Sequence, residues 1–276
     1  MCDTPALIFV HIPKTAGTTF NYILDTVYKK KCIHNIDSLK FEKAIDKFNK
    51  MEQINIDSID LLKGHFTFYL GKLFEREAQF ITFLRKPKDL FISSFFYIRG
   101  AKHNKAHNEV KKLKSIEEYA RWRLKTNTDN IQFRYLVNAV PYYNLEKRET
   151  DLEKVGEQYI IESKQLLNNE YDFVLLTEYF DESLFLLKHH LKWHKLPFYQ
   201  KMNVSVKNDS FFNKSSEEND LVDRACYYDQ IVYDEGKKIF LEKWNKIKGR
   251  LHYQLLLYQK INLILNPLFK LRSKLS

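Results

Sequence analysis

Glycine is scarce in this chain, with 7 residues in 276, so a Gly inside a tight loop, such as Gly17, stands out. Cysteine is scarcer still. Cys2, Cys32 and Cys226 show no metal-type spacing, and their odd number argues against a disulfide framework, so a reducing compartment is expected. No apolar run approaches the ~20 residues of a spanning helix. The first such run, residues 6–10, is also too short for a signal-peptide core. A cytoplasmic location is therefore expected. The Walker A pattern G-x-x-x-x-G-K-[ST] is missing. His103/His107 and His190/His194 are spaced i, i+4 but lack the glutamate of H-E-x-x-H, so they read as solvated or packed residues and no metal is expected.

What is present is aromatic and basic. With 21 Phe, 17 Tyr, 3 Trp and 44% hydrophobic content, the chain reads as a folded globule. The expected organisation is a single domain over 1–276, ending in a basic amphipathic helical tail at 249–276. A formal net charge of +10 favours polyanionic partners without choosing among nucleotides, nucleic acid, acidic glycans and an anionic membrane face.

Residues 6–12 read as a buried strand, 13–19 as a turn-rich loop and 20–30 as a helix. A helix is expected over 37–51, capped by Asp37 or Ser38, then strands at 59–63 and 79–84. Pro87 opens a helix over 87–98, and the basic stretch 100–114 reads as a mobile loop, equally suited to gripping an acidic acceptor or to plain solvation. Further helices are expected near 115–124, 128–139, 151–168, 180–195, 217–247 and 250–275, the last broken at Asn266-Pro267, with a strand at 172–177. Strands alternating with helices predict an α/β fold with a central, mostly parallel sheet.

In such sheets ligands bind beyond the carboxyl ends of the strands. Those ends run into His11-Ile12-Pro13-Lys14, Gly64-His65, Arg85-Lys86-Pro87 and Thr177-Glu178, a basic cluster suited to anions. In the loop Pro13-Lys14-Thr15-Ala16-Gly17-Thr18-Thr19, a glycine permits close approach, a helix N-terminus follows, and Lys14, Thr18 and Thr19 add charge and hydroxyls. This is a phosphate- or sulfate-type cradle in which the lysine precedes the glycine.

The block from His11 to Thr19 resembles the 5′-phosphosulfate loop of carbohydrate sulfotransferases, the heparan sulfate 2-O-sulfotransferases among them. Leu84-Arg85-Lys86-Pro87 with Ser93 is similar to that family's 3′-phosphate motif. Lys63-Gly64-His65 resembles its catalytic-histidine segment. Asn130-x-Gln132-x-Arg134-x-Leu136, 174–178 and Met202-Asn203-Val204-Ser205 follow in the family's order. Lys86 and Lys63 depart from the pattern, the first standing where an aspartate is frequent and the second where the 2-O enzymes have another histidine.

The resemblance implies a P-loop-like three-layer fold and 3′-phosphoadenosine-5′-phosphosulfate (PAPS) as co-substrate. It also implies donor contacts from Lys14, Thr15, Ala16, Gly17, Thr18, Thr19, Arg85 and Ser93, and from Asn203 and Ser205 in a closing segment. Lys14 would stabilise the leaving phosphate, and His65 would be the general base, with Glu178 as the alternative. The acceptor would be a carbohydrate or other hydroxyl, free or lipid-linked, and nucleic acid is not an expected partner. The stretch 255–274 is too interrupted to span a bilayer and reads as a helix that packs or lies on an anionic membrane. The competing readings are a P-loop kinase or NTPase and a non-catalytic basic binding protein.

Overall fold

Five consecutive apolar residues with neither helical period nor an exposed position form the central strand β1 (Ala6–Val10). An uninterrupted apolar run is what a parallel strand covered on both faces requires. In the computed structural model, which describes residues 5–36, 41–140, 150–199, 209–212 and 215–275, four more strands join it. They are β2 (Ile33–Ile36), β3 (Leu61–Gly64), β4 (Ala78–Leu84) and β5 (Phe173–Leu176). All pairings are parallel, in the order β2-β3-β1-β4-β5. The chain leaves β1 to build β2 and β3 on one side, then crosses to build β4 and β5 on the other. The connections therefore diverge at the carboxyl ends of β1 and β4, where such sheets open a crevice for ligands.

The helices are α1 (Gly17–Val27), α2 (Phe41–Asn49), α3 (Gln53–Ile56), α4 (Phe68–Gly71), α5 (Pro87–Gly100), α6 (His107–Val110), α7 (Ile116–Lys125) and α8 (Ile131–Leu136). They continue with α9 (Leu152–Gln165), α10 (Phe180–His190), α11 (Ser216–Ala225) and α12 (Tyr227–Leu275). They flank the sheet as the predicted α/β fold requires. One large apolar core runs through the strands, and a smaller one lies between α5, α7 and α11.

Several expectations are corrected. Residues 100–114 are not a loose loop: Val110 and His107 are buried, and the His107 ring nitrogen Nδ1 donates to the Ile98 carbonyl at 2.9 Å. The Arg99 guanidinium donates to the carbonyls of Val110, Lys111 and Leu113, pinning the segment to α5. The expected helix 217–247 is divided at Cys226. There the Asn130 side-chain oxygen accepts the backbone N–H groups of Tyr228 and Asp229 and starts α12 afresh. Conversely, α12 continues through Asn266-Pro267 as one helix of 49 residues. The expected caps Asp37 and Ser38 lie outside the described residues. Among the described residues, no helix is long and apolar enough to cross a membrane.

Candidate active site

The β1–α1 turn is built from alternating backbone handedness. Lys14 (φ 67°) and Ala16 (φ 64°) are left-handed, while Thr15 and Gly17 are not. Such alternation turns successive N–H groups toward one point and makes an anion-binding hollow. Two non-glycine residues in this region cost about 1–3 kcal/mol each, the kind of strain found at ligand sites. The N-cap of α1, Ala16, makes no side-chain cap bond, and the helix N-terminus adds partial positive charge to the hollow. The loop is stapled from within, since the buried Thr15 hydroxyl donates to the Ile12 carbonyl at 2.8 Å. Thr15 can thus meet an anion through its backbone but not through that hydroxyl. Thr18 is exposed on the first turn and Thr19 is buried beside it.

Besides permitting close approach, Gly17 is required by its packing. Its φ is not positive. Instead, a Cβ there would sit 1.6 Å from Nε2 of His11, whose ring covers the glycine. Gly17→Ala should therefore lower the melting temperature, since overpacking a closed site costs about 1–3 kcal/mol. Adding His11→Ala should restore much of that loss in a thermal melt. No recovery in the double variant would show that the ring is not what excludes the methyl group.

His11 and His65 stack with ring centroids 4.1 Å apart. Gly64, at φ 149° and with Ile36 carbonyl 2.7 Å from where a Cβ would stand, ends β3 and presents His65. The His65 nitrogen Nδ1 lies 2.7 Å from the His11 carbonyl. A carbonyl only accepts, so Nδ1 carries the proton and Nε2 holds a lone pair. Burial lowers the His65 pKa against a smaller opposing effect of that bond, which keeps the ring neutral and basic near pH 7. His11 is driven further down, by burial first and then by the charges of His65, Lys63 and Lys14. Beneath them Lys63 is buried and pairs with Asp25 at 2.6 Å.

The tip of β4 is clamped. One buried amide, Gln132, accepts the Arg85 N–H through Oε1 at 2.7 Å and donates to the Arg85 carbonyl through Nε2 at 3.0 Å. The next N–H, of Lys86, donates to Glu178 Oε1 at 2.7 Å, and the Tyr233 hydroxyl donates to Oε2 at 3.3 Å. Glu178 is thereby a brace for the turn, with both oxygens engaged. Asn130 starts α12, and Arg134 is fully buried against Asp129 at 2.7 Å. The Asn-x-Gln-x-Arg motif is thus a structural hub, and its link to the site through Gln132 was not visible in the sequence.

Held in this way, Arg85 reaches across the crevice, and its Nη1 donates to the Lys14 carbonyl at 3.0 Å. The Lys14 ammonium lies 4.0 Å above the Tyr97 ring, within cation–π range. Burial and then the Arg85 charge lower its pKa to about 8. Tyr97 stands four residues after Ser93 on α5, so the two share a helix face, and the buried Ser93 belongs to the face that meets the loop. Tyr97 escaped the sequence reading, and its i+4 spacing from Ser93 was the available signal.

Lys14, Gly17, Thr18, Arg85, Ser93 and His65 therefore converge on one edge of the sheet. Asn203 and Ser205 lie outside the described residues. The His pairs do not converge on a metal: His107 is bonded to Ile98, while His103 Nε2 and the Tyr97 hydroxyl are 3.2 Å apart. Among the described residues, no group of three or more His, Cys, Asp or Glu is placed to hold a metal ion. A cleft of about 990 Å³, lined by Leu7, Gln79, Tyr28 and Trp193 among others, lies at the opposite sheet edge and contains none of the predicted site residues.

A central parallel sheet flanked by helices, with an anion-binding hollow after β1 and a clamped arginine beyond β4, is a P-loop-like α/β architecture. The chain matches the galactose-3-O-sulfotransferase family model over residues 3–252 and belongs to that family. It is a PAPS-dependent sulfotransferase, with PAPS as its co-substrate. Its sequence is 11% identical to that of mouse sulfotransferase SULT7A1, in a crystal structure complexed with PAP. The TM-score is 0.39, with 86% of this chain and 84% of that chain covered. No curated protein matches the chain.

Proposed function

We propose that this chain, acting as one domain, moves the sulfuryl group of PAPS to a carbohydrate hydroxyl, with His65 as general base and Lys14 as the charge that stabilises the leaving phosphate. PAPS supplies an activated sulfur–oxygen bond, and the residues here suit its two anionic ends. The hollow at 14–19 takes the 5′ end and Arg85 with Ser93 the 3′-phosphate. His65 Nε2 accepts the proton of the acceptor hydroxyl as its oxygen bonds to sulfur. Lys14 holds its positive charge where the sulfur–oxygen bond breaks, and the phosphate leaves with the bonding pair. Sulfuryl transfer, like phosphoryl transfer, depends chiefly on such positioning and charge.

The observation that carries this reading is the Arg85 Nη1 to Lys14 carbonyl bond, which puts the two anion-binding groups side by side. The family's name makes the galactose 3-hydroxyl the first acceptor to examine. A 2-O-type acceptor has less support, because Lys63, paired with Asp25, stands where those enzymes have a second histidine. The odd number of cysteines, three in the chain, favours a reducing, cytoplasmic setting.

Calorimetry tests the donor assignment. The chain should bind 3′-phosphoadenosine-5′-phosphate and not ATP with magnesium. Arg85→Ala should weaken the former about 10- to 100-fold, as expected for hydrogen bonds to a charged group. Preference for ATP, or full affinity in Arg85→Ala, would remove the assignment. Transfer of labelled sulfate to a panel of glycans would then identify the acceptor.

A further inference from the structure

The last acidic residue of the chain is Glu242. The 34 residues after it, 243–276, hold eight Lys and Arg and no Asp or Glu. That segment therefore carries most of the net charge of +10. It is also the second half of α12, and its described side chains fall on two distinct faces. Leu255, Tyr258 and Asn262 are buried, with Tyr258 stacked on Phe198 at 5.3 Å and its hydroxyl donating to the Pro197 carbonyl at 2.7 Å. The opposite face carries Tyr253, Leu256, Leu257, Leu263 and Ile264, exposed by 85, 41, 60, 74 and 70%. At about 100° per residue, these five and Lys260 share one arc of roughly 120°. The exposed Arg250 flanks that arc.

We propose that this face of α12 docks the enzyme on an anionic membrane surface. An exposed apolar arc with basic residues in and beside it, and no acidic residue in the segment, is the pattern of a helix that lies in the interfacial plane. The apolar side chains would enter the headgroup boundary while Lys260 and Arg250 extend to lipid phosphates. Pairing with a second copy would bring two such basic segments together, so charge complementarity favours lipid over self-association. The donor site lies elsewhere, at the carboxyl edge of the sheet, so docking leaves the chemistry accessible.

The full-length chain is to be tested by co-sedimentation with vesicles of phosphatidylcholine alone and of phosphatidylcholine with phosphatidylserine, and by light scattering without vesicles. The expected result is binding to the anionic vesicles only, weakened by raised salt. Leu257→Glu with Ile264→Glu should reduce binding at least ~10-fold. It should leave the melting temperature and affinity for 3′-phosphoadenosine-5′-phosphate unchanged, because both side chains are exposed and neither belongs to the proposed site. No binding to anionic vesicles, equal binding by the double variant, or a dimer that the double variant dissolves would each overturn the proposal.

Discussion

Lys14→Ala should lower kcat by about 10²- to 10³-fold, the usual cost of removing one preorganised group that faces developing charge. The melting temperature should hardly move, because the ammonium makes no ion pair among the described residues and rests only on the Tyr97 ring. The pH dependence carries its own signature. In the proposed role Lys14 acts in its protonated form, and burial and then Arg85 lower its pKa in the free enzyme to about 8. The kcat/KM for PAPS should therefore fall as pH rises through about 8, since that parameter reports the free enzyme. In kcat the same limb should lie higher, because a bound dianion favours the charged amine. Lys14→Arg keeps a charge at every accessible pH and should abolish the alkaline limb even if it is slower overall. An alkaline limb that survives unchanged in Lys14→Arg would assign it to another group.

The second large effect is expected at His65. His65→Ala should cost about 10²- to 10⁴-fold in kcat, the range for a positioned general base. The decisive comparison is His65→Asn, whose amide nitrogen can replace Nδ1 as donor to the His11 carbonyl but offers no base at Nε2. If His65 only props the loop, Asn should restore activity. If it takes the proton, Asn should be as slow as Ala. Because burial lowers its pKa, wild-type activity should rise with pH through a value below the ordinary histidine range, and both variants should lose that acidic limb. Glu178→Gln offers the counter-test. A loss as large as that of His65→Ala, with the fold intact, would make Glu178 the base. The structure, with both its oxygens bracing the Lys86 turn and Tyr233, argues for a structural role.

Much of this site was legible in the sequence because its skeleton is local. β1 and β4 are buried runs with no helical period, and the lysine, the glycine and the arginine follow them directly along the chain. What stayed hidden depends on contacts distant in sequence. β2 has polar His34 and Asn35 in its middle, which an edge strand tolerates and a periodicity search passes over. The break at Cys226 has no Gly or Pro to announce it, since it is made by Asn130 from across the fold. The need for glycine at 17 comes from a histidine six residues earlier that folds back over it. Gln132 acts on Arg85 from 47 positions away, and spacing alone cannot show that one amide takes both backbone groups of a strand tip.

The 49 residues of α12 extend about 70 Å at 1.5 Å per residue. Its first turn is tied to the hub that clamps Arg85, and its second half packs on the main core through Leu255 and Tyr258. A single helix of that length couples its far arm rigidly to the catalytic edge. Whatever immobilises the far arm removes most of the tumbling freedom of the catalytic edge and sets its height and tilt. Collisions with acceptors anchored to the same support would then sample a narrow band of orientations, whereas freely diffusing acceptors would approach from every side.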